Sequence, residues 1–153
     1  MQIQNVISRA DFEDLQEILN LQYVSYQKQG ALFSKPIPPL TQTLAEVIEE
    51  YKNGTVFKMT DENGRIIGSI RTSEQNGTVH IGKLMVHPDF WHQGLGTRLL
   101  YEVENQFPGK RYELFTSTRS ADNIRLYKRI GYKEFSREKI DDELEFIHME
   151  KHG

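Results

Sequence analysis

The sequence predicts a mixed α/β fold: one sheet with helices packed on its faces. Two observations carry this. Three β-rich runs, Val56 to Thr60, Arg65 to Ser73 and Thr78 to Val86, are separated by Glu62-Asn63-Gly64 and Gln75-Asn76-Gly77. Asn-Gly between β-rich runs is a strong hairpin signal, so the middle of the chain reads as an antiparallel meander. After Val86 the pattern changes to strand, helix, strand, helix, which requires a sheet covered by helices.

Taken in order, Ile3 to Ser8 is a short strand. Asp11, with Asp14 in the first turn, caps a helix in which Phe12, Leu15, Ile18, Leu19, Gln22, Tyr23 and Tyr26 recur at helical spacing to about Lys28. Lys35 to Leu40 (KPIPPL) reads as a loop between helices. Thr43 with Glu46 matches a capping box, and Leu44, Val47, Ile48 and Tyr51 form one face of a short second helix ended by Asn53-Gly54. The meander closes at Val86-His87-Pro88, because proline has no N–H for the ladder and restricts the residue before it. A helix begins at Gly94, buries Leu95, Leu99, Leu100, Val103 and Phe107, and stops at Pro108-Gly109. Arg111 to Thr116 is a strand, Asp122 to Ile130 a helix bounded by Gly131, and Phe135 and Leu144 to Met149 supply two last strands.

Composition narrows the function classes. The 153 residues, 37% of them hydrophobic, suit a single domain spanning 1–153, which at this length buries roughly 70% of its unfolded surface. The absence of cysteine excludes a disulfide scaffold, a thiolate zinc site, an iron–sulfur cluster and a cysteine nucleophile. With 19 basic and 22 acidic side chains the net charge is −3, which disfavours nucleic acid and anionic membranes as partners. Met1 to Asn5 has no basic segment leading into an apolar run, and no stretch is long and apolar enough to span a bilayer, so a soluble cytoplasmic protein is expected.

The segment His92-Gln93-Gly94-Leu95-Gly96-Thr97 lies between a strand end and a helix start. Unpaired amides and the partial positive charge of a helix N-terminus suit a phosphate, and glycines let the backbone approach it. No Gly-Lys-Ser/Thr follows, so this is not a Walker loop, and the third glycine of a dinucleotide fingerprint would fall on Leu99. Taken alone, two glycines opening a helix fit a tight loop that binds nothing better than they fit a phosphate site.

The neighbours of this loop are more specific. Leu84-Met85-Val86-His87-Pro88-Asp89-Phe90-Trp91-His92-Gln93-Gly94-Leu95-Gly96, followed by Asn123-Ile124-Arg125-Leu126-Tyr127-Lys128-Arg129-Ile130-Gly131-Tyr132, resembles the GCN5-related N-acetyltransferase (GNAT) family over most of the chain. The first segment is similar to the family's pyrophosphate loop, Arg/Gln-x-x-Gly-x-Gly/Ala, and the second to its helix with a Leu-Tyr pair before Gly-Phe or Gly-Tyr. The resemblance implies a mostly antiparallel sheet of six to seven strands flanked by about four helices, with the fourth and fifth strands splayed. It implies acetyl-CoA as acyl donor, no metal, and direct transfer to a primary amine of a small molecule or peptide. The backbone of Leu84, Met85 and Val86 would then lie along the pantetheine. Amides from His92, Gln93, Gly94, Leu95, Gly96 and Thr97 would cradle the pyrophosphate, Asn123 would bond the pantetheine arm, and Tyr127 would stand beside the thioester sulfur. Trp91 departs from the family's Arg or Gln, so no side-chain charge is supplied there, and His92 replaces a residue that is often glycine. A non-catalytic acyl-CoA-binding regulatory module is the alternative, and a homodimer is left open.

Acyl transfer to an amine needs a neutral nucleophile, a stabilised oxyanion and a stabilised leaving thiolate. An alkylamine of pKa about 10.4 is neutral in roughly one molecule in 2,500 at pH 7, a deficit of about 4.6 kcal/mol. His80, on the fourth strand where family members often carry a carboxylate, is the candidate base, with Glu113 on the next strand as a second choice. Tyr23, Tyr26 and Phe33 are either core or one wall of the acceptor site. His87, His92 and Asp89 lack the spacing of a metal site, and Asp141-Asp142-Glu143 reads as a solvated turn.

Overall fold

A computed structural model describes residues 5–153; Ile3 and Gln4 of the first expected strand lie outside the described residues, and the strand runs Val6–Arg9 (β1). The chain continues through a 3₁₀ turn to α1 (Leu15–Ser25), α2 (Gln27–Gly30), α3 (Pro38–Thr41) and α4 (Leu44–Lys52). Then follow β2 (Thr55–Thr60), β3 (Ile66–Gln75), β4 (Thr78–Val86), α5 (Leu95–Gln106), β5 (Arg111–Ser117), α6 (Ala121–Ile130), β6 (Lys133–Lys139) and β7 (Glu145–His152). The strands form one sheet in the order β1-β2-β3-β4-β5-β7-β6, antiparallel throughout except for the parallel pair β4–β5. Among the described residues no helix is long and apolar enough to cross a membrane.

Three of the sequence expectations need correcting. The expected first helix breaks after Ser25 into α1 and α2, and the KPIPPL loop contains the short α3, whose first residue is a proline. Proline suits a first helical position because that N–H has no helical partner in any case. Of the two Asn-Gly turns only Asn76-Gly77, with φ of 51° and 80°, makes the two-residue hairpin, since both positions must be left-handed for the turn twist to match the strands. At the other, Asp61 Oδ1 accepts the Asn63 and Arg65 N–H groups at 2.9 and 3.0 Å, giving a longer loop.

The core is divided by the sheet, because adjacent strand residues point to opposite faces. Val56, Ile66 and Met85 pack under α1 and α4 against Leu15, Ile18, Leu19 and Val47. Their neighbours Phe57 and Ile67, with Val79, Ile81, Tyr112 and Leu114, pack on α5 and α6 against Leu99, Leu100, Val103 and Tyr127. The expected capping box of α4 forms: Thr43 Oγ1 accepts the Glu46 N–H at 3.3 Å, and Glu46 Oε1 accepts the Thr43 N–H at 2.9 Å.

Two local features open the sheet. Ser69 and Arg71 of β3 face Met85 and Gly82 of β4, so β4 carries one extra residue, and Lys83 sits in that bulge with φ of 52°. A bulge bends its strand and increases the local twist. Strand β4 then pairs with β5 only from Thr78–Arg111 to His80–Glu113. Beyond this, β4 stays with β3 up to Val86 and β5 stays with β7 up to Ser117. The predicted splay between the fourth and fifth strands is therefore present.

Candidate active site

The gap between β4 and β5 holds two adjoining cavities, of 510 and 260 Å³, that share Tyr26, Gln29, Leu84 and Asn123. The larger runs from Leu84, Met85 and Val86 to the start of α5 and is flanked by Lys28, Arg119, Arg125 and Arg129. The smaller is closed by Phe33, the α3 segment, Leu114 to Ser117, Tyr127 and Phe146.

Gly94, the residue before α5, has φ of 75° and offers no side-chain cap. The first amides of the helix thus have no intrahelical partner, and they face a cavity edged by four basic side chains and by Asp122, which pairs with Lys28 and Arg125. His92, Gly94, Leu95, Gly96 and Thr97 line that cavity, whereas Gln93 does not. His92 adopts φ of 65°, the left-handed region in which glycine is least strained; this is the backbone reason a glycine suits that position. The donor set, free amides plus surrounding cations, fits a diphosphate ester.

The alternation of β4 sorts its backbone groups. His87 N–H donates to Ile67 C=O at 2.7 Å, and Met85 stands opposite Ser69. The polar groups of the intervening residues, Leu84 and Val86, therefore turn away from β3 toward the gap. Met85 directs its peptide groups to the sheet instead, and its side chain is buried under α1. The Leu84 carbonyl accepts from Tyr26 Oη at 3.2 Å. The Val86 carbonyl accepts from Ser25 Oγ at 3.2 Å and from Trp91 Nε1 at 2.7 Å. Trp91 thus tethers the free end of β4, and Lys28 Nζ sits 5.5 Å from the centre of its ring.

Asn123 and Tyr127 are one helical turn apart on α6 and project the same way. Asn123 reaches both cavities; Tyr127 lines the smaller. The Tyr127 side chain is almost wholly buried, packs edge-on against Tyr132 at 6.2 Å, and burial drives its phenol well above the ordinary tyrosine range. Burial likewise raises Tyr26, to about 12. Both remain protonated donors at any physiological pH.

His80 is not brought to the site. It belongs to the paired end of β4–β5, its Nδ1 3.5 Å from Glu113, and it lines neither cavity. Glu113 is also outside, held by Arg111 at 2.8 Å. Tyr23 bonds the Gln42 carbonyl, while Tyr26 and Phe33 do form walls of the site. The acidic run is more than a solvated turn. Asp141 Oδ1 accepts the Glu143 and Leu144 N–H groups, and Glu143 clasps Ser34 and Arg119, joining the β6–β7 turn to the chain after α2. Among the described residues no three carboxylate or imidazole groups cluster as a metal site.

Lys83, Ser25, Lys28 and Arg119 were not identified from the sequence. For Lys83 a signal existed: the alternation Val79, Ile81 should continue with an apolar residue at 83, and it resumes one position late at Leu84, the mark of a bulge.

A mixed sheet parted between its fourth and fifth strands, with an uncapped glycine-led helix at the mouth, leaves an open cleft edged by free backbone amides and basic side chains. The sequence matches the Acetyltransferase (GNAT) domain family over residues 21–152, and the chain belongs to that family. The ribosomal-protein-S18-alanine N-acetyltransferase of Escherichia coli superposes with a TM-score of 0.81 at 20% identity, covering 97% of this chain and 94% of the other. The PaiA N-acetyltransferase of Thermoplasma acidophilum, solved in complex with coenzyme A, gives 0.79 at 18% identity, with 99% and 100% covered. The UPF0157 protein YqkA of Bacillus subtilis (strain 168) is 24% identical over 119 residues, 76% of this chain but 34% of that protein; the chain spans about a third of that curated relative.

Proposed function

We propose that the chain is an acetyl-CoA-dependent N-acetyltransferase that moves the acetyl group directly to a primary amine in a ternary complex. The observation that carries this is the junction of the two cavities at Leu84, Asn123 and Tyr26: a donor channel with phosphate-binding amides meets an acceptor pocket at one point of the splayed strand. Bound acetyl-CoA would supply an activated acetyl thioester there. The Leu84 and Val86 N–H groups, turned to the gap, are placed to bond the donor's amide-bearing arm and the carbonyl oxygen on which charge develops. The amine nitrogen forms the new bond to carbon as the carbon–sulfur bond breaks, and the proton that the nitrogen gives up leaves to solvent.

Tyr127 acts on the leaving sulfur as a hydrogen-bond donor. Its raised pKa makes full protonation of a thiolate of pKa about 8.5 more uphill than for an ordinary tyrosine, so the thiolate is stabilised in place and takes its proton from solvent. The groups lining the smaller cavity include no carboxylate and no histidine. The acceptor therefore enters as the free amine, and its availability rises with pH.

Two measurements test this together: calorimetry with acetyl-CoA, and release of free coenzyme A across an amine panel. Acceptor-dependent release with a 42 Da gain on the amine, the acetyl increment, is expected. Tight acetyl-CoA binding with no acceptor-dependent turnover would replace the enzyme by an acyl-CoA-binding regulatory module.

A further inference from the structure

The smaller cavity differs in character from the larger. Its walls are Phe33, Ile37, Pro38, Pro39, Phe115 and Phe146, and the one side chain of formal charge that lines it is Lys83. A polyamine or aminoglycoside acetylated there would bury further ammonium groups with no carboxylate to receive them, and a buried unpaired charge costs several kcal/mol.

Lys83 shares the one carboxylate beside it with a second cation. Its Nζ stands 3.6 Å from Glu50 Oε1, too far for a hydrogen bond, and that same oxygen is already bonded at 3.1 Å by Arg71 Nη1. Arg71 is itself buried, with Nη2 bonded to Gln22 Oε1 at 2.7 Å and Nη1 to Gln42 Oε1 at 3.1 Å. Its Nε has no partner among the described residues. Glu50 also accepts from Gln42 Nε2 at 2.9 Å. Two buried or half-buried cations thus share one carboxylate. Glu46, the other acid within electrostatic reach of Lys83, is exposed and committed to the Thr43 cap. Burial pulls the Lys83 ammonium below the ordinary lysine range, and an arriving anion reverses that cause.

Resting on the transferase reading above, we infer that the acceptor is a small apolar amino acid that keeps its carboxylate, seated with the carboxylate on Lys83 and the amine at the Leu84 end of the cavity. Lys83 and Leu84 are adjacent in the bulge and both line this cavity, so a carboxylate drawn to one and an amine held at the other belong to a short molecule. The volume of 260 Å³ lies just below the roughly 300–1,000 Å³ of pockets for drug-sized ligands, which suits a single amino acid.

The test compares L-phenylalanine, L-phenylalaninamide, phenethylamine and spermidine as acceptors at saturating acetyl-CoA. Phenylalanine should exceed its amide and phenethylamine by at least about tenfold in kcat/KM, since only it offers a charge-assisted bond to Lys83. Lys83→Met should bring that ratio to within about twofold, and Lys83→Arg, which keeps the charge, should retain most of it. Equal or better turnover of the amide, phenethylamine or spermidine by the wild-type protein overturns the assignment while leaving the transferase reading intact. An unchanged ratio in a folded Lys83→Met also overturns it. No turnover with any amine, despite measured acetyl-CoA binding, overturns the transferase reading and this assignment with it.

Discussion

Replacing Tyr127 by Phe removes one hydroxyl and leaves the ring. The ring is what packs: it is almost wholly buried and meets Tyr132 edge-on at 6.2 Å. Phenylalanine keeps that packing, and the hydroxyl is not among the buried polar atoms left without a partner, so the thermal midpoint should hold within a degree or two. In the proposed transfer the same hydroxyl would face a sulfur on which negative charge accumulates. A hydrogen bond to a charged group is worth roughly 1.5–3 kcal/mol. At about 1.36 kcal/mol per decade, turnover should fall roughly 10- to 150-fold. Acetyl-CoA affinity should change little, because the ground-state thioester is a weak acceptor. Coenzyme A release is read as free thiol, and the absence of cysteine from the chain keeps the protein itself silent in that assay. A kcat within about twofold of wild type would remove Tyr127 from the reaction, and a Kd rise matching the kcat loss would make it a binding residue.

Three further outcomes follow from the mouth and rim of the site. Gly94→Ala meets nothing within 4 Å but must hold φ of 75°, at about 1–2 kcal/mol; calorimetry should show a folded protein with weakened acetyl-CoA binding, and unchanged affinity would take the α5 amides out of the site. Trp91→Phe removes the 2.7 Å bond to the Val86 carbonyl and leaves that from Ser25, so affinity and thermal stability should each drop by about 1 kcal/mol; no change in either would dismiss the tether. Glu143 is held below the ordinary glutamate value of 4.5, first by its side-chain bond to Ser34. Its folded pKa is the lower one, so the clasp contributes fully above pH 4.5 and is lost as pH falls through that depressed value. Hydrogen-exchange protection of the Ser34 amide should decline there; protection that persists until the whole fold unfolds in acid would refute the clasp.

Much of the site was legible in short stretches of sequence. Gly94 and Gly96 at the head of an amphipathic run are read locally, because a left-handed residue opening a helix is a property of a few consecutive dihedrals. Asn123 and Tyr127 four residues apart share a helix face for the same reason. His80 illustrates the opposite case. Its place on a strand was correct, yet its relation to the gap depends on where β4 leaves β5, and that departure begins just after His80–Glu113. The Arg71–Glu50–Lys83 cluster draws on β3, α4 and β4, and no spacing along the chain announces a meeting of three elements.

Periodicity and turn chemistry thus suffice for the mixed sheet, its hairpins and caps and the glycine-led start of α5, since each rests on neighbours within a few bonds of one another. The charge of the smaller cavity and the clasp between Glu143 and Ser34 are decided by the tertiary fold alone. They are meetings of residues distant in sequence, set by the twist of the sheet and by one extra residue in β4.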